Sequence, residues 1–327
     1  MVSIPITQTP GKSPPAGIRA FLRRLRSGDE IAHLITLIFA SAILLLTVLL
    51  VYELWRNSVL PRHKFGWSFF VTRTWDPVFE HFGALPFVFG TTVTSALALL
   101  IAIPLGVGAA IFLSEMAPPR ISDALTFLIE LLAAVPSVIF GLLGIFILVP
   151  ILRTTVMPSL KGALGFLPLF KGPIYGVSFF AAGVVLAIMI IPFIISISRE
   201  ILLAVPADQR EAALALGATK WESTWKVVVP YATTGILGSV FLAMARALGE
   251  TMAVTMVVGN VSDIKTSLLA PGYSIAAVIA NEFTEATGEM YLQALIELGL
   301  VLFLVTFILN GLARLMILFT ARRGGTA

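Results

Sequence analysis

Two oppositely charged side chains lie inside a long apolar segment, where charge is costly unless it has a function or a partner. Arg246 and Glu250 belong to residues 227–260, VVVPYATTGILGSVFLAMARALGETMAVTMVVGN. A spacing of four residues puts both on one face of a helix. The Arg246 guanidinium would supply fixed positive charge and forked donors for an anion, and Glu250 would hold the arginine in place and prevent over-tight binding. A structural ion pair that pins two helices together explains the same residues, so both interpretations stay open.

A second candidate set consists of hydroxyl side chains near the start of another apolar run, at Thr91, Thr92 and Ser95. Hydroxyl groups can solvate a dehydrated oxyanion. More often they donate to carbonyl groups of their own helix or contact a neighbouring helix, and we favour that interpretation here. Two further carboxyl groups, those of Glu130 and Glu297, also interrupt apolar runs without indicating a specific role.

The elements that position these residues are predicted to be membrane-spanning helices, which makes this an all-α membrane protein. The 327-residue chain is 58% hydrophobic and only 12% charged, whereas soluble domains carry about 25% charged residues. Apolar runs of about 20 residues are long enough to cross a bilayer as helices, which satisfy their own backbone hydrogen bonds. We expect six spans, at residues 31–52, 85–113, 124–152, 177–198, 229–259 and 291–319.

Small residues and a proline predict how these helices pack. Glycines in the second and third spans would let neighbouring helices approach closely, at Gly106, Gly108, Gly141 and Gly144. Pro136, followed by Ser137, would bend the third span and free a backbone carbonyl group, forming either a gate or a plain kink.

The first thirty residues are predicted to be a basic, partly disordered tail, followed by a transmembrane domain at 31–320 and a short tail at 321–327. Four arginines precede the first span, and the apolar run after them is too long for a cleaved signal peptide. Lysine and arginine are more frequent in the loops on the side of both chain ends, which predicts cytoplasmic termini. The formal net charge of +4 reflects this asymmetry and does not require nucleic acid as a partner.

The chain offers no nucleotide or metal motif of its own. Gly11-Lys12-Ser13 resembles the end of a phosphate-binding P-loop, but Ile6 stands where that motif requires glycine, and Pro14-Pro15 prevent the helix that would follow. The three histidines are widely spaced, and the absence of cysteine excludes disulfides and thiolate metal sites. We therefore expect no enzymatic activity and no cofactor on this polypeptide.

A polar segment at about 205–226 separates the fourth and fifth spans, and it is predicted to be helical. Pro206 fits the first turn of a helix, where Asp208 and Glu211 place negative charge near the positive end of the helix dipole. Alanines keep the helix thin enough for close packing against another protein. Gly217 can take the left-handed conformation that ends a helix and turns the chain.

This segment resembles the EAA loop of ATP-binding-cassette importer permeases, written EAA-x3-G-x9-I-x-L-P. The matching residues are Glu211, Ala212, Ala213, Gly217, Val227, Val229 and Pro230, with valine in place of both aliphatic residues. The resemblance implies that the segment is a cytoplasmic coupling helix that docks on a separate ATPase subunit. It also implies that ATP and Mg bind to that partner.

Longer stretches resemble the phosphate-specific transport (Pst) permeases, from about residue 30 to residue 320. They include ARALGETMAVTMVVGN and IELLAAVPSVIFGLLGIFILVP. The long loop between the first two spans and PGYSIAAVIANEF at 271–283 favour the PstC-type subunit. This resemblance implies a type I importer fold in a bacterial inner membrane, with a PstA-type permease, two ATPase subunits and an external phosphate-binding protein as partners. Arg246 and Glu250 match the family's intramembrane charged pair, and Glu211 and Gly217 match its coupling loop.

Three alternatives remain. The chain could be the PstA-type partner, or a permease for another oxyanion such as molybdate or sulfate. It could also be a secondary transporter or channel that uses Arg246 and Glu250 as a proton or ion relay. That last alternative leaves the EAA-like segment unexplained, and the sequence shows no convincing repeated halves of the kind such transporters often have.

Overall fold

The computed structural model describes the backbone of residues 29–324 and the side chains of residues 32–315. The chain divides into two units, residues 1–53 and residues 54–327. In the first unit the described residues belong to helix α1 (Asp29–Arg56), whose apolar side chains are exposed, as a lipid-facing helix requires. The predicted disordered tail, its arginines and the P-loop-like residues lie outside the described residues. The short tail predicted at 321–327 lies partly outside them.

In the described part of the second unit the regular secondary structure is helical, apart from two isolated bridges, Asp76–His81 and Gly259–Gly272. Its helices are, in chain order, α2 (Val59–Phe65), α3 (Ser68–Val71), α4 (Leu85–Ile111), α5 (Pro119–Ala133), α6 (Ser137–Leu143), α7 (Val149–Ile151), α8 (Met157–Leu164), α9 (Phe179–Leu203), α10 (Ala207–Ala215), α11 (Lys220–Ser223), α12 (Val229–Leu248), α13 (Met252–Val258), α14 (Ile275–Glu282) and α15 (Glu289–Gly324). A 3-10 turn at Pro168–Phe170 follows α8.

Six helical segments among the described residues are long and apolar enough to cross a membrane. They are Ala32–Arg56, Leu85–Met116, Ser137–Leu164, Phe179–Leu203, Lys220–Leu248 and Glu289–Leu315. The predicted number of spans and the all-helical class are therefore confirmed. The bounds of the third and fifth spans differ from the prediction, and both differences have a local cause.

The predicted third span at residues 124–152 is wrong at its start. Residues 119–133 form the separate helix α5, and the span itself begins with α6. Pro136 occupies the N-cap position of α6 with extended backbone. Because the residue before a proline disfavours the α conformation, the chain does not run through this point as one helix. Pro136 therefore starts the span instead of bending it.

Four short π-helical segments widen the described helices, and each ends two residues before a proline. They are Phe112–Met116 before Pro118, Gly144–Leu148 before Pro150, Leu152–Val156 before Pro158, and Thr224–Val228 before Pro230. A proline has no N–H group, and its ring clashes with the carbonyl of the preceding turn. Widening the turn removes that clash, so in three of the four cases the helix continues past the proline.

The fifth span begins and ends before the predicted bounds of 229–259. Its helix starts at α11, passes through the π-helical segment and ends with α12 at Leu248. Residues 249–251 interrupt the helix, and α13 then starts at Met252. Gly249 stands at this interruption, where the lack of a side chain weakens the helix.

Helices α4 and α9 form the tightly packed centre of the second unit. A methyl group added to Gly106 of α4 would lie 2.8 Å from Ile194 of α9, and one added to Gly183 of α9 would lie 2.6 Å from Leu97 of α4. Ordinary carbon contacts are about 3.5–4.0 Å, so both positions require glycine. The two helices therefore approach each other too closely to slide independently.

The close packing predicted from glycines is confirmed at three of the four positions. Gly106 packs on α9. An added methyl group at Gly141 would lie 2.5 Å from the sulfur of Met256, and one at Gly144 would lie 2.9 Å from Val185 and from Val257. At Gly108 no atom of the described residues lies within 4 Å of the added group, so the prediction is wrong there within the described chain.

A cluster of aromatic side chains holds the loop between α1 and α4 against α15. The ring of Trp75 contacts those of Phe82, Phe87 and Tyr291, with centroids 4.8, 4.9 and 6.3 Å away. The Trp75 indole and the Tyr291 hydroxyl both donate to one carboxylate oxygen of Glu282, at 2.8 and 2.7 Å. Helix α4 starts beside this loop, and Glu115, just after its other end, contacts Arg210 of the polar segment 205–226. The loop therefore lies at the end of the unit opposite that segment.

Candidate substrate pathway and coupling segment

Arg246 places a guanidinium group near the middle of the helix bundle. It lies in the last turn of α12, with its Cζ atom 5.6 Å from the ring centroid of Phe193 on α9. At 1.5 Å per residue, Phe193 lies about 21 Å from the Phe179 end of α9 and about 15 Å from the Leu203 end. The Ser198 and Ser239 hydroxyls, 2.7 Å apart, join the same two helices. The charge of Arg246 is therefore held at mid-depth of a membrane span.

The ion pair predicted between Arg246 and Glu250 is not formed. Because α12 ends at Leu248, the two residues do not share one continuous helix. The Glu250 carboxylate instead accepts a hydrogen bond from the backbone N–H of Ala253 at 3.1 Å, in the first turn of α13. A carboxylate there faces the positive end of a helix dipole, while Arg246 lies at the negative end of another. Each charge is thus stabilised by a helix end.

This arrangement leaves the Arg246 guanidinium available to a ligand. Among the described residues, no carboxylate forms an ion pair with it and no hydrogen bond occupies its donors. A guanidinium presents its N–H groups in a planar fork that fits two oxygens of an oxyanion. Within residues 32–315, no group of three histidine, aspartate or glutamate side chains could hold a metal ion. The site therefore suits anion binding by hydrogen bonds and fixed charge.

The hydroxyl groups of the second span mostly bond to their own helix, as we favoured. Thr91 donates to the carbonyl of Phe87, and Thr92 donates to the carbonyl of Val88, each at 2.8 Å. The Thr91 oxygen also accepts from the backbone N–H of Ile275 at 2.9 Å. The buried Ser95 hydroxyl has no partner within the described part of the chain. A substrate contact by Thr91, Thr92 or Ser95 stays a prediction.

The segment between α13 and α14 packs directly on the start of the second span. A methyl group added to Gly90 would lie only 2.0 Å from the carbonyl oxygen of Tyr273, so the two backbones touch. The Tyr273 hydroxyl accepts a hydrogen bond from the Asn281 amide at 3.0 Å. Burial raises the pKa of Tyr273 to about 12, although the Asn281 bond opposes this.

The polar segment forms a rigid helix–turn–helix. Helix α10 ends before Gly217, whose φ of 88° lies in the left-handed region, as predicted. Thr219 and Glu222 then form a reciprocal capping box, in which Glu222 N–H donates to the Thr219 hydroxyl and Thr219 N–H donates to the Glu222 carboxylate. Pro206 lies at the N-cap of α10, one position before the predicted first turn. The left-handed Gly217 and the capping box of Thr219 and Glu222 together fix the angle between α10 and α11.

The outer face of this helix–turn–helix is exposed and partly apolar. Glu211 and Ala212 are exposed, Ala213 is half-buried, and α10 contains no buried residue. Leu216 is 90% exposed at the tip. The rings of Trp221 and Trp225 pack edge to face, 5.4 Å apart, while both side chains remain exposed. A cleft of about 300 Å³ lies between α10 and the start of the fifth span. An apolar tip beside a cleft is typical of a protein-binding surface.

A pair of charges that the sequence analysis did not identify connects this segment to the membrane helices. Arg210 of α10 donates from Nη2 to one oxygen of Glu115 at 2.8 Å and from Nε to the other at 3.3 Å. Glu115 lies in the π-helical segment after α4. The signal in the sequence was weak, because each residue reads as an ordinary charge at the end of an apolar run. Only the fold brings them together.

Comparison with known proteins identifies related sequences over nearly the whole chain. Residues 102–318 match the family model described as "Binding-protein-dependent transport system inner membrane component". A protein of Mesorhizobium japonicum named phosphate transport system permease protein PstC is 46% identical over 312 residues, covering 94% of this chain and 95% of its own.

Similar proteins occur in other bacteria. The PstC protein of Xylella fastidiosa is 49% identical over 264 residues, with 80% of this chain and 81% of that protein covered. The PstC protein of Haemophilus influenzae is 45% identical over 286 residues, with 86% and 90% covered. A chain of the methionine ABC transporter MetNI, solved in inward-facing conformations, is 16% identical and covers 74% of this chain and 98% of its own at a TM-score of 0.49. The chain belongs to the binding-protein-dependent transport inner-membrane components and, within them, to the PstC family of permeases.

Proposed function

We propose that this chain is the PstC-type permease subunit of an ATP-driven importer of inorganic phosphate. The observation that carries this proposal is Arg246, a guanidinium at mid-depth of the bundle whose donors have no protein partner in the described structure. In a chain of the PstC family, such a group has a clear use as a fixed positive charge for a phosphate oxyanion. The 46–49% identity to proteins named phosphate transport permeases supports the same substrate.

Transport by a chain of this family requires partner proteins. A binding-protein-dependent inner-membrane component works with a substrate-binding protein and with an ATPase, as part of a multi-pass membrane assembly. We further propose that a PstA-type permease completes the pathway, that two ATPase subunits bind ATP and Mg, and that the external protein binds phosphate. The chain ends and residues 205–226 would face the cytoplasm, where ATP is available. The excess of lysine and arginine on that side supports this orientation.

The proposed mechanism uses two regions of the chain. ATP binding would close the ATPase dimer and displace the coupling segment, whose motif residues are Glu211, Ala212, Ala213 and Gly217. The rigid turn at Gly217 would carry that displacement into the fifth span and open the pathway to the outside, where phosphate is delivered. Arg246 would bind the phosphate in transit. Glu250 would limit the affinity by its negative charge, so that the anion is released after the assembly resets.

The alternatives fit less well. A relay through an Arg246–Glu250 ion pair lacks support, because the two side chains are held at separate helix ends. A secondary transporter also has no use for an exposed apolar tip at Leu216. Molybdate and sulfate permeases and a PstA-type role are disfavoured by the high identity to PstC-named relatives over nearly the full chain.

The test is uptake of radiolabelled phosphate into proteoliposomes that contain this chain with its co-purified partners. We expect uptake only when ATP and the external binding protein are both present, and no competition from sulfate or molybdate. Competition by either anion would redirect the substrate assignment. Uptake driven by an ion gradient without ATP would contradict the importer proposal itself.

A further inference from the structure

The coupling segment is joined to the membrane helices by the side chain of Arg210. This side chain and its carboxylate partner are largely withdrawn from water, with 24% of the Arg210 side chain and 7% of the Glu115 side chain exposed. The pair is bidentate, since Nη2 and Nε of the guanidinium each donate to a different oxygen of Glu115. A bidentate pair fixes orientation as well as distance.

The same guanidinium also bonds to the end of the fourth span. Nη2 donates to the carbonyl of Leu202 at 2.7 Å, and Nη1 donates to the carbonyl of Val205 at 2.5 Å. Carbonyl groups at the end of a helix have no partner within the helix, so Arg210 satisfies acceptors that would otherwise need water. One side chain therefore links α10 to the ends of both α4 and α9.

Apart from the covalent connection to α9 through residues 204–206, other connections from α10 to these two helices are weak. No residue of α10 is buried. Among the described residues, the side-chain hydrogen bonds and ion pairs from α10 to α4 or α9 all come from Arg210. The rest of α10 is thus free to present its outer face to a partner, while residues 204–206 tie it to α9 and Arg210 adds the side-chain link to Glu115 at the end of α4.

We propose that Arg210 is a positioning residue that transmits displacement of the coupling segment to α4 and α9 as one unit. This inference rests on the proposed function. Helices α4 and α9 are locked together at Gly106 and Gly183, so a pull on their common end moves both. Helix α9 carries Phe193, whose ring lies under the Arg246 guanidinium. The path from Arg210 through α9 therefore ends at the proposed phosphate site, independently of the path through Gly217 and α12.

The experiment compares Arg210→Gln with a matched arginine variant in the reconstituted importer. The control is Arg199→Gln. Arg199 is on α9, is 13% exposed in its side chain and bonds to Ser122 of α5, but it makes no bond to α10. Three quantities are measured: the amount of ATPase subunit that co-purifies, the rate of ATP hydrolysis with loaded binding protein, and the phosphate transported per ATP hydrolysed.

We expect Arg210→Gln to retain the ATPase subunit and its hydrolysis while the phosphate transported per ATP falls about tenfold, within the usual range for coupling between two sites. Arg199→Gln should leave that ratio within about twofold. Glu115→Gln keeps the carbonyl bonds of Arg210 and should reduce the ratio less. The double variant should be no worse than Arg210→Gln, because both changes remove the same link.

Two results would overturn the proposal. One is an unchanged transport ratio in Arg210→Gln. The other is a parallel loss of ATPase subunit, hydrolysis and transport in both Arg210→Gln and Glu115→Gln, which would assign the pair to assembly alone. Failure of the proposed function looks different, since the unmodified chain would then show no ATP-dependent phosphate uptake at all, and the inference would fall with it.

Discussion

Replacement of Arg246 by methionine separates a functional charge from a structural one. An arginine at mid-depth of a membrane helix costs about 2.5–3.5 kcal/mol on insertion scales. The contact with the Phe193 ring offsets about 0.5–2 kcal/mol of this cost, and the negative end of α12 offsets about 0.3–1 kcal/mol, while no ion pair with a described residue adds to that. Removing the charge should therefore leave the fold as stable as before, or about 1–2 kcal/mol more stable. A structural ion pair predicts the reverse, a loss of about 3–5 kcal/mol.

Transport should respond in the opposite direction. If the guanidinium binds phosphate through two charge-assisted hydrogen bonds of about 1.5–3 kcal/mol each, Arg246→Met should lose uptake by about 100-fold or more. Arg246→Lys keeps the charge but not the fork, and it should retain more uptake than the methionine variant. The two readouts are ATP-driven phosphate uptake in proteoliposomes and thermal unfolding of the purified complex.

Thermal unfolding decides between the interpretations. With an unfolding entropy of about 2.1 cal/mol/K per residue, 1 kcal/mol corresponds to about 1.5 °C in Tm for 327 residues, so Arg246→Met should unfold at the same temperature as the unmodified complex or a few degrees higher. A drop of about 6 °C or more, in parallel with lost uptake and reduced yield, would refute the reasoning. Arg246 would then be a structural residue whose partner lies elsewhere in the assembly.

Two further predictions concern the second span. Gly90→Ala should unfold at a markedly lower temperature or fail to accumulate, because its new methyl group meets the Tyr273 carbonyl at 2.0 Å. Gly108→Ala meets no atom within 4 Å and should be neutral or more stable by up to about 1 kcal/mol; equal Tm values for both variants would contradict this packing. Thr91→Val leaves the buried Ile275 N–H without an acceptor and should cost about 1–3 kcal/mol, measured by thermal unfolding. The exposed Thr92→Val should change stability by less than about 0.5 kcal/mol, and a raised KM for uptake would show that Thr92 contacts substrate after all.

Hydropathy was sufficient to find the spans but not their interruptions. Apolar composition is the same on both sides of Pro136, so a window of residues cannot distinguish a kinked helix from the end of one helix and the start of another. The structure resolves this through the extended backbone of Pro136. In the same way, the apolar run at 227–260 hides the break after Leu248, where the Glu250 carboxylate accepts from the Ala253 N–H and forms no ion pair with Arg246.

Local backbone chemistry was predictable where one residue type decides it. Gly217 was expected to adopt the left-handed conformation, and it does so with φ of 88°. The Arg210–Glu115 pair could not be predicted, because its partners come from different helices and nothing in their spacing relates them. Such long-range pairs depend on how α4, α9 and α10 meet, which only the packed structure determines.

If a separate ATPase drives transport through residues 205–226, its binding should cover the tip of the coupling segment, and labelling of a single cysteine measures whether it does. The natural chain has no cysteine. Leu216→Cys would place one at the tip of the coupling segment, where the native side chain is 90% exposed, and Trp67→Cys provides a control of 86% exposure in the loop at the opposite end.

Each variant is treated with a maleimide, first as the isolated chain and then in complex with the ATPase subunits. We expect assembly with the ATPase to slow labelling strongly at position 216 and to leave position 67 unchanged, and we expect labelling of the free chain at 216 to block ATP-driven uptake. Equal labelling of position 216 with and without the ATPase, together with normal uptake by the labelled protein, would show that the ATPase does not act through this segment.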